Sequence, residues 1–402
     1  MTSRGGSKRA FTATILDQGL NSAINLTVGL AIAKSFGIER FGVFVTGITL
    51  SFLVASIVSA MTYTVAAVDI VRIRRSKATY LSHVEAMAAA LSLLVALPIS
   101  GVWLVTLAKW SPYTSFVLLY ACLLGVFESS RRMSYLRDDG ARTFRLTAIR
   151  GLVVGAAAAS GAAGGIYPML ALLVLHLLLG VAPTLTRLAL TRGWHAGYFG
   201  RVLRQGLPLA LSVVLSTGFE QIVVLLAAKD LGAETVGGWR AASYLFGLWA
   251  PFLISFDAFL PRILHARFGG AMRVPLPYLL LLGVLASMSC MATSWITTNL
   301  YLPYLGPEFQ TYAPTAYLYT LVYVAIIMKL ALSVTLRRED TRHMTVANLF
   351  GATFGMAAYL SHAVGPDALL AFSIAVSHLT SLAAMSLIAM RLARSSAAMV
   401  GR

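Results

Sequence analysis

Twelve runs of about 20 mostly apolar residues follow one another along the chain, separated by short polar connections. They cover residues 11–33, 42–67, 81–105, 112–129, 146–164, 168–189, 206–228, 238–260, 275–297, 311–334, 344–363 and 367–390. A bilayer-crossing helix needs about 20 consecutive apolar residues. The pattern therefore predicts an all-α integral membrane protein of about twelve transmembrane helices. Two runs break the apolar monotony in the same way. In the first, Asp17, Asn21 and Asn25 recur at i, i+4 and i+8, with Gln18 beside them. In the seventh, Ser212, Ser216 and Glu220 do so, with Gln221 beside them. That spacing puts each set on one helix face. Such a stripe cannot face hydrocarbon, so it faces protein or a wet cavity.

The two stripes are 195 positions apart, and so are two related phrases that follow them. Ala33-Lys34-Ser35-Phe36-Gly37-Ile38-Glu39-Arg40-Phe41-Gly42 is echoed by Ala228-Lys229-Asp230-Leu231-Gly232-Ala233-Glu234-Thr235-Val236-Gly237. Repetition at this scale marks a duplicated architecture. Six spans precede the second copy. An even number returns each half to the side where it began, so the repeats are parallel, related by an axis along the membrane normal. The expected organisation is an N-terminal six-helix bundle over 1–191, a linker over 192–205 and a C-terminal six-helix bundle over 206–402, around a central cavity. Gly37 and Gly42, and their counterparts Gly232 and Gly237, are expected to shape equivalent turns, with Glu39 and Glu234 capping them.

Composition supports a membrane location. The chain is 58% hydrophobic, only 12% charged, and its net charge is +17; its mean hydropathy is +0.78. A soluble domain carries about 25% charged residues. The basic balance has a membrane explanation, because cytoplasmic loops collect Lys and Arg. In the twelve-span register only Lys34, Arg40, Lys109, Lys229 and Arg240 fall on one side, and the rest of the 32 Lys and Arg fall on the other. Both termini are thus expected in the cytoplasm, and the basic start (Arg4, Lys8, Arg9) reads as leading into a retained first span. No basic helix, ribbon or aromatic module suggests nucleic acid. Cys122 and Cys290 lie alone in apolar runs and read as core residues. No metal-ligand spacing, catalytic triad or phosphate-cradling loop occurs, so neither a metal, a cofactor nor an enzymatic activity is expected.

Charged groups inside the spans carry the remaining information, since each costs about 2.5–3.5 kcal/mol at the bilayer centre. Asp17, Gln18, Asn21, Asn25 and Gln221 are candidates to meet a polar substrate, and Glu220 or Asp17 to couple an ion. Arg240, Lys329 and Arg150 could line a cationic cavity, although Lys329 and Arg150 lie close enough to the inner ends of their spans to snorkel to the interface. Arg131, Arg132, Arg137, Arg142 and Arg145 are expected at the interface, facing lipid phosphates or water. Glu128 is placed to pair with Arg131 or Arg132 at i+3 and i+4. His176 and His378 read as core histidines, and Gly151-x-x-x-Gly155 with Ala157–Ala159 reads as a site of close helix packing.

These residues together resemble the polysaccharide-flippase (Wzx-like) branch of the multidrug/oligosaccharidyl-lipid/polysaccharide exporter superfamily. The resemblance rests on the first phrase and on Phe127-Glu128-Ser129-Ser130-Arg131-Arg132. It also rests on Gly206-Leu207-Pro208, on Gly232-x-x-x-x-Gly237 leading into Trp239-Arg240-Ala241-Ala242, and on Leu305-Gly306-Pro307-Glu308-Phe309. It implies two six-helix bundles forming a V, a bacterial inner-membrane location, and transfer of a polyprenyl-pyrophosphate-linked oligosaccharide between leaflets for surface polysaccharide biosynthesis. Membrane lipids and other polysaccharide-assembly membrane proteins are the implied partners. The family's cavities tend to be cationic, whereas the clearest cavity candidates here are neutral or acidic. A cation-coupled drug or metabolite antiporter of the same superfamily is the first alternative. A membrane-embedded glycan polymerase or ligase is the second.

Overall fold

A computed structural model describes residues 4–72, 77–107, 111–136, 140–190, 219–249, 276–339 and 341–400, with isolated positions between 200 and 218. The chain divides into two compact units, Met1–Gly237 and Gly238–Arg402. Among the described residues both are built from helices, without a strand.

In unit 1 the first two expected spans form one helical run, α1 (Arg4–Arg72), broken only at Gly37 with φ 75 and ψ 179. A left-handed φ of this kind suits glycine, which has no Cβ to clash. The run continues into α2 (Lys77–Leu107), α3 (Pro112–Leu136), α4 (Gly140–Ala162) and α5 (Ile166–Leu190). Next come α6 (Phe219–Asp230) and α7 (Ala233–Ser243), the latter spanning the division between the units. The start of α3 is fixed by its own sequence. Ser111 Oγ accepts from the Thr114 N–H at 3.2 Å, while the Ser111 N–H donates to Thr114 Oγ1 at 2.8 Å. This is a reciprocal cap, with Pro112 at the first helical position, where its missing N–H costs nothing. α1 is the organising element and packs on α2, α3, α4 and α6.

Unit 2 holds the end of α7, a 3-10 turn (Tyr244–Trp249), α8 (Leu276–Ile296), a π turn (Thr297–Tyr301), α9 (Ala313–Glu339), α10 (Thr341–Leu360) and α11 (Pro366–Val400). α9 packs against α8 and α11, and α10 against α11. α8 exposes Leu280, Leu281, Val284, Leu285, Met288 and Trp295. An apolar surface this continuous suits hydrocarbon rather than water.

The expected spans one to six and nine to twelve each fall on a described helix, with the first two sharing α1 and the helix ends departing from the expected bounds by up to ten residues where α11 runs on to Val400. The seventh and eighth are described continuously only from Gly218 to Trp249, and Ser212 and Ser216 lie outside the described residues, as do most of 192–205. Five described segments are long and apolar enough to cross a membrane: Leu16–Tyr63, Ile166–Thr186, Pro277–Leu305, Ala313–Leu332 and Pro366–Arg391.

Glycine fixes the closest helix approaches, but not where the small-residue stripe predicts. A Cβ at Gly42 would overlap the Ala233 carbonyl oxygen and stand 3.0 Å from Gly237 N; one at Gly237 would overlap the Ile38 carbonyl oxygen and stand 3.0 Å from Gly42 N. Ile38 and Ala233 are themselves counterparts at the 195-residue offset, so the two copies of the phrase meet reciprocally. Gly232 has φ 91, matching the break at its counterpart Gly37. Gly37 and Gly232 thus supply the turns, while Gly42 and Gly237 supply the contact. Glu39 and Glu234 are exposed. A Cβ at Gly151 would stand in ordinary contact with Ile24 at 3.6 Å, and one at Gly155 would meet nothing within 4 Å. The Gly151–Gly155 stripe is therefore not a site of unusually close packing.

Candidate functional site

The first-span stripe enters a buried charge network in unit 1. Asp17 is fully buried and Asn21 nearly so. Thr147 Oγ1 of α4 donates to Asp17 Oδ1 at 2.5 Å. Arg131 of α3 lies between two carboxylates, with Nη2 2.9 Å from Glu128 Oε2 and Nη1 3.6 Å from Asp17 Oδ2. Arg131 Nη1 also donates to Gln18 Oε1 at 3.0 Å. Glu128 pairs with Arg131 at i,i+3 as the spacing predicts. Arg131 itself departs from expectation. It is 9% exposed and turned into the protein, where Asp17, Gln18 and Glu128 offer it acceptors.

Arg150 is likewise turned inward rather than toward the interface. Its exposure is 0%. Its Nε donates to the His176 carbonyl at 3.2 Å, its Nη1 to Asn21 Oδ1 at 3.3 Å, and its guanidinium lies 3.6 Å from the Phe127 ring centroid. The face of an aromatic ring attracts a cation, and more strongly when both are desolvated. Gly180 makes room for the pair: a Cβ there would stand 2.6 Å from the Phe127 ring and 3.3 Å from Arg150 Cδ. Among the described residues, Arg150 Nη2 and His176 Nε2 are buried without a hydrogen-bond partner. His176 Nδ1 sits 2.5 Å from the Leu173 carbonyl. A carbonyl only accepts, so the ring proton is on Nδ1.

A third carboxylate completes the network. Glu85 of α2 is 1% exposed. Its Oε1 accepts from Thr184 Oγ1 of α5 at 2.7 Å and Ser130 Oγ of α3 at 3.3 Å. The hexapeptide from Phe127 to Arg132 thus feeds several partners at once. Phe127 holds Arg150, Glu128 holds Arg131, and Ser130 reaches Glu85. Glu85, Ser130, Thr147, Thr184 and His176 are network members that sequence reasoning did not nominate as a site. Their signal was faint: His176 is a lone polar residue in an apolar run, and Ser130, Thr147 and Thr184 are neutral hydroxyls.

The remaining candidates do not share that constellation. Asn25 is half-buried one turn beyond Asn21, and Glu220 and Gln221 are half-buried on α6. In unit 2 the Arg240 guanidinium lies over Tyr244 at 5.2 Å and Trp239 at 5.9 Å. Among the described residues its Nε is buried without a hydrogen-bond partner, as are Tyr301 Oη and Trp239 Nε1. Lys329 also turns inward, its Nζ 3.3 Å from Nδ1 of the buried His378 on α11. Among the described residues, no three His, Cys, Asp or Glu side chains gather as metal ligands would.

No protein-family model matches the chain, and no curated protein matches it in sequence. Solved structures match its fold over nearly its whole length. Lipid II flippase MurJ in an inward closed conformation superposes with a TM-score of 0.69 at 12% identity, covering 95% of this chain and 87% of that one. The eukaryotic MATE transporter AtDTX14 does so with a TM-score of 0.65 at 14% identity, covering 95% of each. An inward-facing multidrug resistance MATE family transporter of the MOP superfamily gives 0.54 at 13% identity, covering 94% and 96%. With helices at the expected spans and no strand among the described residues, the chain has the twelve-helix membrane fold of the MOP-superfamily transporters.

Proposed function

We propose that the protein is a lipid-linked oligosaccharide flippase. It would carry a polyprenyl-pyrophosphate-linked glycan across the bacterial inner membrane by alternating access of its two duplicated halves, 1–191 and 206–402, with both termini cytoplasmic. The observation that supports this reading most is the setting of the unit 2 cations. Arg240 lies on aromatic faces and Lys329 on an imidazole. The aromatic faces that hold Arg240 leave its field available to a phosphate. The likeness of fold to a lipid II flippase agrees with it. In this reading Arg240, Lys329 and Arg150 serve the pyrophosphate, and Asp17, Gln18, Asn21, Asn25 and Gln221 serve sugar hydroxyls. Asp17 or Glu220 couples a proton or sodium ion.

One observation favours a second reading, a cation-coupled drug or metabolite antiporter. Asp17, Glu128 and Glu85 place three carboxylates in the described network of unit 1, and buried acids suit proton exchange. A single experiment separates the two. In proteoliposomes, a fluorescent prenyl-pyrophosphate oligosaccharide should become protected from an external quencher, and Arg240→Ala should abolish this without lowering protein abundance. Transport of a lipophilic cation dye on a proton gradient, with no movement of the lipid, would establish the antiporter instead.

A further inference from the structure

Arg240 Nε, Trp239 Nε1 and Tyr301 Oη of unit 2 are buried donors without an acceptor among the described residues. Trp249 Nε1 in the same unit, by contrast, donates to Thr293 Oγ1 at 3.2 Å. A buried donor left unsatisfied is costly, so several around one group ask for an explanation. That group is the Arg240 guanidinium. It lies 5.2 Å from the Tyr244 ring centroid and 5.9 Å from that of Trp239. Tyr301 is close enough to Arg240 and Tyr244 to interact electrostatically with both. Tyr301 also closes the π turn Thr297–Tyr301, and such turns occur often at functional sites. Among the described residues no carboxylate pairs with Arg240.

The chemistry of the three donors selects the ligand. A guanidinium N–H and an indole N–H only donate, and a phenol O–H can donate. An oxyanion answers them best, because it offers lone pairs in several directions and a charge opposite to that of Arg240. We propose that Arg240, Trp239 and Tyr301 form a phosphate-binding site, with Nε, Nε1 and Oη donating to its oxygens. Arg240 is half-buried, whereas Trp239 and Tyr301 are 5% and 9% exposed. The anion therefore meets the guanidinium first and the two deeper donors as it settles, where low polarity strengthens each bond. That the phosphate belongs to a lipid rests on the flippase reading above; the set of three donors does not.

The test is titration of the purified full-length protein with farnesyl pyrophosphate, inorganic pyrophosphate and farnesol, beside thermal unfolding without ligand. Tyr301→Phe removes one hydroxyl and keeps the ring. It should weaken binding of farnesyl pyrophosphate about tenfold while the melting temperature holds or rises, because the group removed has no partner in the free protein. A hydroxyl that merely braces the fold would do the reverse. Arg240→Lys keeps the charge but loses the Nε donor, and should also bind about tenfold more weakly. The Trp239 indole N–H resonance, identified by its loss in Trp239→Phe, should shift when farnesyl pyrophosphate is added. Wild-type affinity in Tyr301→Phe or Arg240→Lys, a lowered melting temperature in Tyr301→Phe, or an unmoved indole resonance overturns the proposal. So does farnesol binding as tightly as farnesyl pyrophosphate, or binding of neither pyrophosphate. If inorganic pyrophosphate binds as tightly as the farnesyl compound, with the same loss in Tyr301→Phe, the site stands for free phosphate and the lipid-substrate reading fails instead.

Discussion

In unit 1, Arg131 is held between Glu128 and Asp17, and Thr147 and Gln18 complete the ring of partners. In unit 2, Arg240 lies over the rings of Tyr244 and Trp239, and Lys329 rests on an imidazole. Both copies of the phrase and its stripe lie in unit 1, and the two units house charge differently. A buried cation satisfied by carboxylates is locked, because freeing it would leave two anions in a medium that cannot solvate them. A cation satisfied by ring faces gives up little when an incoming anion draws it away. Arg131 of unit 1 is therefore braced by carboxylates, whereas Arg240 of unit 2 rests on ring faces.

Arg131→Gln attacks that contrast most severely. It strands Asp17 and Glu128 in the interior, and removing one partner of a buried pair costs about 3–5 kcal/mol. Arg240→Gln in unit 2 should cost less than about 1 kcal/mol, since only cation–π contacts are lost. Thermal or denaturant unfolding in detergent measures both. The double variant Asp17→Asn with Arg131→Gln should recover part of the loss, because it removes an orphaned charge. Equal costs for Arg131→Gln and Arg240→Gln would dissolve the distinction between the units.

The next largest effect concerns what the halves share. Gly42→Ala drives a methyl group onto the Ala233 carbonyl, and Gly237→Ala drives one onto that of Ile38. Backbone cannot step aside as a flexible side chain can, so each should cost about 3 kcal/mol. Gly155→Ala, with nothing within 4 Å, should be neutral by the same unfolding measurement. A third substitution, Arg150→Lys, keeps the charge but loses the planar fork that lies on Phe127 while donating to Asn21 and the His176 carbonyl. About 2 kcal/mol should be lost, again read by unfolding.

Much of this was legible in the sequence, and the remainder was not for definable reasons. Helix positions follow from apolar run length alone, and the Glu128–Arg131 pair follows from i,i+3 spacing. The break at Gly37 and its match at Gly232 follow from the repeated phrase. Azimuth is where sequence fails. Arg131, Arg150 and Lys329 all lie near span ends, and a long cationic side chain there can reach either an interface or a neighbouring helix. The choice depends on acceptors that other helices bring, such as Asp17 and Asn21 from α1, or His378 from α11. Gly151 and Gly155 mislead for the same reason. A glycine records that a Cβ is dispensable, not that something fills its place. At Gly180 something does, and no pattern around that residue announces Phe127 and Arg150.

The smallest effects test the contrast at the level of single hydroxyl groups. Thr184 Oγ1 donates to the Glu85 carboxylate at 2.7 Å in unit 1, and Thr320 Oγ1 stands 2.6 Å from Ser294 Oγ in unit 2. Both threonines are buried, 1% and 7% exposed, so Thr→Val leaves shape and burial nearly unchanged and removes only the hydroxyl's contacts, which also include Ser130 Oγ for Thr184 and the Cys290 carbonyl at 3.4 Å for Thr320. A bond to a charged group contributes about 1.5–3 kcal/mol, and a neutral one about 0.5–1.5 kcal/mol. Thr184→Val should therefore cost about 1.5 kcal/mol and Thr320→Val about 0.5–1 kcal/mol. Ser294 keeps a second acceptor in the Ala316 carbonyl at 2.8 Å, which cushions the loss in unit 2. Placing Glu85→Gln beside Thr184→Val separates charge from geometry. If the threonine matters because it solvates a carboxylate, its removal should cost less once the charge is gone. An undiminished cost in the Glu85→Gln background would mean that the bond is merely one more neutral contact, as in unit 2.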